Sequence, residues 1–126
     1  MPGQEILTIQ EFTTQYACSR STFDQEFKAG RIGAKHLGKR YLIRRSEADA
    51  WFNDLPNATN GATPARLGRV VNLPTAMNYI GCGRERIITD IRAGILPAKL
   101  LGTHYRLRVA DLDHWFDHIL PDAIPA

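Results

Sequence analysis

The chain has 126 residues and a formal net charge of +3, a length typical of one ordinary domain and a basic balance that suits a polyanionic partner without requiring one. Its longest apolar stretch falls far short of a membrane span, and Met1-Pro2-Gly3-Gln4-Glu5 lacks the basic region and apolar run of a secretory signal. The cytoplasm is the expected compartment.

The N-terminal half predicts the C-terminal half. Shifted by 64 positions, Ile6–Phe52 lies over Val70–Phe116 without a gap, pairing Cys18 with Cys82, Arg20 with Arg84, Gly30 with Gly94, Gly38 with Gly102, Tyr41 with Tyr105, Arg44 with Arg108 and Trp51 with Trp115. Two copies make a duplicated small domain; a solenoid needs about three units or more. The repeat sets expected domains at 1–54 and 70–120, a linker at 55–69 and a tail at 121–126. Units of about fifty residues bury little surface alone.

In chain order, Thr8 followed by Glu11 fits a capping box at a helix start, with the helix running to about Tyr16. Asn72 and Pro74 open its counterpart, and Gly81 suits its left-handed end. A short turn, Ala17-Cys18-Ser19 or Gly81-Cys82-Gly83, leads into a second helix from Arg20 or Arg84. Phe23 and Phe27, or Ile87 and Ile91, fall one turn apart and should face the core. Gly30 and Gly94 end these helices. Next, Ala34–Leu37 and Tyr41–Arg44 read as a hairpin turning at Gly38, and Ala98–Leu101 and Tyr105–Arg108 as one turning at Gly102. Ser46 or Ala110 begins a third helix carrying Trp51 or Trp115, each read as a core anchor. Pro56, Gly61, Pro64 and Gly68 give the intervening stretch a linker composition with a random-coil span on the order of 20 Å.

Cys18 and Cys82 read as small residues packing a turn. His114 and His118 share a helix face at i,i+4, but too few ligands accompany them for a metal site. No paired-carboxylate, Cys/His or Ser/His constellation is present and the glycines lie in turns, so neither catalysis nor a cofactor nor a small-molecule ligand is expected.

Arg92-Ala93-Gly94-Ile95-Leu96-Pro97-Ala98, Gly102, Tyr105-Arg106-Leu107-Arg108 and Trp115 in one copy, with Ser19-Arg20-Ser21-Thr22, Ala29-Gly30-Arg31-Ile32, Gly38–Ser46 and Trp51 in the other, resemble the excisionase-type, MerR-like winged-helix DNA-binding domain. The resemblance covers nearly the whole chain outside linker and tail. It implies an α+β, mostly α fold of two tandem winged helix-turn-helix domains, each with a two-stranded β-hairpin wing. It also implies double-stranded DNA as partner, a helix in the major groove, a wing near the backbone or minor groove, and no catalysis. Family members include recombination directionality factors of phages and integrative elements and transcriptional regulators. The usual member carries one such domain, so the tandem form departs from the pattern.

With Phe23 as the inward direction on a helical wheel, Ser21, Gln25 and Lys28 point outward, flanked by Thr22 and Asp24; in the second copy Glu85, Thr89 and Arg92 do so, with Arg86 beside them. Gln pairs with adenine and Arg or Lys with guanine. Arg20 and Arg84 stand at helix N-termini that favour phosphate. Lys39, Arg40 and Arg44, and Thr103, His104 and Arg108, are the wing candidates for backbone or minor-groove contact. Asp24, Glu26, Glu85 and Asp90 on the second helices work against phosphate binding. They favour a third reading, a protein-binding adaptor with repurposed domains. The leading expectation is control of excision of a mobile element in a bacterial cell, alongside a tyrosine or serine integrase or further copies on the DNA. A transcriptional regulator of such an element is the runner-up.

Overall fold

In the computed structural model, residues 5–123 are described. The chain is α+β and divides into two compact units at the Leu55–Pro56 junction. In the first unit, strand β1 (Ile6–Thr8) leads into α1 (Ile9–Gln15), a turn, and α2 (Arg20–Lys28). The hairpin β2 (Lys35–Leu37) and β3 (Arg40–Arg44) follows, then α3 (Arg45–Asn53). The second unit repeats the order as β4 (Val70–Asn72), α4 (Leu73–Ile80), α5 (Arg84–Arg92), β5 (Lys99–Leu101), β6 (His104–Arg108) and α6 (Val109–His114). A π-helical turn, Trp115–Ile119, continues α6. No helix among the described residues is long and apolar enough to cross a membrane.

The expected two-stranded hairpins are each part of a three-stranded antiparallel sheet, in the order β1-β3-β2 and β4-β6-β5. Leu7 pairs with Ile43 and Val71 with Leu107; all four are buried. The added strand is three residues long, too short for a two-residue period to declare itself, and its partner lies more than thirty positions away.

Local chemistry sets the helix starts. Thr8 and Glu11 form the reciprocal capping box, Ser19 accepts from the Thr22 amide, and Asn72 from the Thr75 amide. Ser46 is not a cap: α3 and α6 begin one residue earlier than expected, after Arg44 and Arg108, without a side-chain cap. The carbonyl just before each unit's first strand serves there instead, with the Arg45 amide donating to Glu5 and the Val109 amide to Arg69.

The two cores share a plan and differ in filling. The first is aromatic, with Phe12 5.2 Å from Tyr16, 5.3 Å from Trp51 and 6.0 Å from Phe23 between ring centroids. The buried Tyr16 hydroxyl donates to Asp49 at 2.5 Å. The second is aliphatic around Trp115, with Leu73, Ala76, Ile87, Ile91, Leu96, Leu107 and Leu112. Both tryptophans are core anchors, and each indole donates to the second helix: Trp51 to Glu26 at 3.0 Å and Trp115 to Asp90 at 2.8 Å.

Most of the stretch read as a linker belongs to the second unit. Ala62 and Pro64 are buried, Thr59 donates to the Ile91 carbonyl at 2.6 Å, and the Ala65 amide donates to Asp111 at 2.9 Å. A random-coil span does not describe a segment held in this way. Of the expected tail, Pro121–Ala123 are exposed and in no helix or strand; residues 124–126, like residues 1–4, lie outside the described residues.

Ala17 adopts φ +52°, a left-handed conformation that its counterpart Gly81 holds at φ +83° without cost to a side chain. Ala17→Gly should relieve about 1–2 kcal/mol of strain, offset by about 0.4–1 kcal/mol of added unfolded-state freedom. The melting temperature of the first unit should therefore rise by a few degrees, and Gly81→Ala should lower that of the second. Thermal melts of the two variants check both signs.

Candidate nucleic-acid interface

Each unit has a cleft where the start of its first helix, the start of its second helix and the tip of its hairpin converge. In the first unit the cleft, about 210 Å³, is lined by Thr8, Ile9, Arg20, Lys39, Arg40 and Tyr41. The one in the second unit, about 340 Å³, is lined by Asn72, Leu73, Pro74, Arg84, Thr103, His104, Tyr105 and Arg106. Shifted by 64, the first set falls on members of the second. The same place in the fold is therefore hollow twice, with an arginine at the head of the second helix in both.

The fold positions these groups through short-range geometry. Ser19 caps α2 and fixes Arg20 in its first turn, where the helix N-terminus adds partial positive charge. The Arg20 guanidinium lies 5.9 Å from the centre of the Tyr41 ring and 3.4 Å from Asp24. Both partners of that ion pair are about half exposed, so it holds Arg20 weakly. Gly38 at φ +62° and Gly102 at φ +63° turn the hairpins and present Lys39-Arg40 and Thr103-His104 beside the helix starts. Lys39, Arg40, Thr103 and His104 are all exposed.

Beyond the clefts, Ser21, Gln25 and Lys28 form an exposed row along α2, with Thr22 half-buried beside it. On α5, Arg86, Thr89 and Arg92 are exposed, and Arg86 lies 3.4 Å from Asp90. The wheel expectation and the observed exposure coincide along both helices.

Two groups of the sequence reading need correction. Arg108 cannot meet a ligand: it has 0% exposure and donates to the carbonyls of Ala65, Arg66 and Gly68. The segment before β4 wraps over it. Its counterpart Arg44 is exposed but is not brought to the cleft; it borders a separate hollow with Gly33, Ala34, Lys35, Leu42 and Glu47. Glu26 and Asp90, read as acids facing a polyanion, instead turn toward the tryptophans. Arg31 and Trp51 hold the Glu26 carboxyl below its ordinary value against the opposing effect of burial. Only Asp24 and Glu85 remain as acids on the outer parts of these helices.

Arg106 lines the second cleft and was missed from sequence.

No group of three or more His, Cys, Asp or Glu side chains among the described residues could hold a metal ion. Cys82 is half-buried, and burial raises its thiol pKa above the ordinary value against the opposing charge of Arg86. The arrangement can bind a polyanion through fixed cations and hydrogen-bond donors. Against protein-family models, curated proteins and solved structures, the chain finds no match.

Proposed function

We propose that the chain binds double-stranded DNA through both units, each working as a winged helix-turn-helix. In this reading α2 and α5 enter successive stretches of major groove, and the β2-β3 and β5-β6 hairpins lie against the adjoining backbone or minor groove. The observation that carries it is the recurrence, at one repeat offset, of a cleft formed by a helix N-terminus, an arginine and a hairpin tip, beside an exposed polar helix face. The units have eight Lys and Arg against five acids over Ile6–Phe52, and six against four over Val70–Phe116. Both are therefore net basic, as a phosphate-facing surface requires. Gln25, Lys28 and Arg92 carry the donors and acceptors suited to base edges, while Arg20, Arg84, Lys39 and Arg40 fix the register on phosphates.

The resemblance of both copies to excisionase-type domains supports a role in directing excision of a mobile element, with the strand chemistry left to a separate integrase. Footprinting on the ends of the element and on its promoters separates this role from transcriptional control.

Binding should be strongly salt-dependent. Phosphate contacts by Arg20, Lys39, Arg40 and Arg84 would together give a log–log slope of about −3.6, at about −0.9 per contact. Fluorescence anisotropy with a labelled duplex at several salt concentrations measures the slope. A flat response rules out the phosphate contacts and points to a protein partner.

A further inference from the structure

The second unit carries an edge-covering segment, joined by a single β-bridge, that has no counterpart on the first unit's sheet among the described residues. Pro56-Asn57-Ala58 runs antiparallel along the outer edge of β5. The Leu100 amide donates to the Pro56 carbonyl and the Ala58 amide to the Ala98 carbonyl, both at 2.8 Å, with Asn57 opposite Lys99. The matching edge of the first unit is open. His36 and Ala34 stand where Leu100 and Ala98 stand, and no hydrogen bond among the described residues reaches the His36 amide or the Ala34 carbonyl from that side. Lys35, His36 and Leu37 are all exposed. Beside them lies a hollow of about 250 Å³ bordered by Ala34, Lys35, Arg44 and Glu47; the counterparts of these four in the second unit, Ala98, Lys99, Arg108 and Asp111, all lie under residues 57–68.

The sequence contains a second segment of the covering kind. Leu55-Pro56-Asn57-Ala58, which leaves the first repeat, returns as Leu120-Pro121-Asp122-Ala123, which leaves the second. The offset is 65 here because one residue is added between Trp115 and Leu120. The π-helical turn absorbs it, the Leu120 amide bonding at 2.9 Å to the Trp115 carbonyl five positions back. In the chain, the first copy of this segment covers the sheet edge of the unit that follows it. Of the second copy, Leu120 packs against the core of its own unit, while Pro121–Ala123 are exposed and in no strand.

We propose that Pro121-Asp122-Ala123 pairs with the β2 edge of a second copy of this chain, in the register that Pro56-Asn57-Ala58 takes on β5, and so joins copies head to tail. The Ala123 amide donates to the Ala34 carbonyl, the His36 amide donates to the Pro121 carbonyl, and Asp122 faces Lys35. Where the joint within the chain sets Asn57 opposite Lys99, the joint between chains sets opposite charges across the strands, which favours it. Proline at the first position costs nothing, because only its carbonyl is used. The two surfaces differ, so the contact is heterologous and extends rather than closing on itself. Three residues of edge pairing bury far less than the roughly 1,000 Å² of a stable interface, so association in free solution is weak and grows with concentration. It does not depend on DNA binding.

Sedimentation equilibrium of the full chain without DNA, from micromolar to millimolar concentration, tests the joint. The weight-average mass should rise from the 14.1 kDa of the monomer toward multiples of it. Ala123→Pro removes the donating amide outside both folded cores and should hold the chain monomeric. Asp122→Lys should do the same by placing like charges opposite each other, and Lys35→Asp added to it should restore the rise. A wild-type chain that stays monomeric, an Ala123→Pro chain that associates as before, or a double variant that fails to recover overturns the proposal. A second measurement fixes the occupant: with Cys18 and Cys82 changed to Ser, the pair Lys35→Cys and Asp122→Cys should oxidise to a ladder of linked chains. A circular monomer as the sole product would mean that the segment closes on its own chain, which also overturns it.

Discussion

Arg108→Ala should remove a large share of the stability of the second unit, while the same change at the equivalent position of the repeat, Arg44→Ala, should leave that of the first unit nearly unchanged. Arg108 is fully buried, and its guanidinium satisfies three backbone carbonyls on the segment that crosses it. Alanine strands those carbonyls and opens a cavity, at a cost of about 3–5 kcal/mol. A unit of some seventy residues has only about 4–10 kcal/mol of stability to lose. Lysine cannot substitute, since it lacks the planar fork that reaches three acceptors at once. Arg44 is exposed, and its replacement should cost no more than about 0.5 kcal/mol of stability. Each unit holds one tryptophan, so the two indole N–H resonances report the units separately. In Arg108→Ala the Trp115 signal should move to its unfolded position at a much lower denaturant concentration than in the wild type, while that of Trp51 keeps its midpoint. Equal and small shifts in both variants would mean that the wrap over Arg108 contributes little.

The contrast between these two arginines marks where sequence alone ran out. Many features set by neighbours in the chain were legible: the caps at Thr8 and Asn72, the left-handed Gly81, the glycine-turned hairpins and the inward Phe23 and Ile87. Features set at long range were not. The first strand of each sheet is three residues with no period to read, and the helix start after Arg44 is satisfied by a Glu5 carbonyl forty positions away. Pro and Gly in 55–69 correctly mark irregular backbone, yet irregular backbone can still be packed, as the buried Ala62, Pro64 and Arg108 and the bonds of Thr59 and Ala65 show. Arg44 and Arg108 are identical in the repeat, and Arg108 is buried because the carbonyls of Ala65, Arg66 and Gly68 close over it. Glu26 and Asp90 could have been placed from sequence. Each sits three residues after an inward-facing side chain, on nearly the same helix face, and each unit offers a buried indole that needs an acceptor.

Disabling the reading face of one unit should cost the intact chain more than the loss of any single contact. If both units hold DNA at once, attachment of the second is intramolecular and adds roughly 10²–10⁴ in affinity. Arg20→Ala, Gln25→Ala and Lys28→Ala together silence the first unit, and Arg84→Ala, Thr89→Ala and Arg92→Ala together silence the second. These side chains are on the outside of their helices or at the rim of the cleft, so both triple variants should keep their fold, which their melts and indole signals verify. Each should bind like a single domain and select a shorter site. The two sites should differ, because Gln25 and Lys28 occupy the positions that Thr89 and Arg92 hold in the other copy and offer different donors and acceptors. The wild-type site should accordingly be a direct repeat or an asymmetric sequence. Within it, Arg92→Ala should relax one position by about 1–3 kcal/mol, whereas Lys39→Ala should weaken all sequences alike, since a phosphate contact carries no base information. Selection of sites from a random pool by the wild-type chain and by both triple variants decides the matter. A perfect inverted repeat chosen by the wild type, or a silenced variant that binds as tightly as the parent, is incompatible with two different readers in one chain.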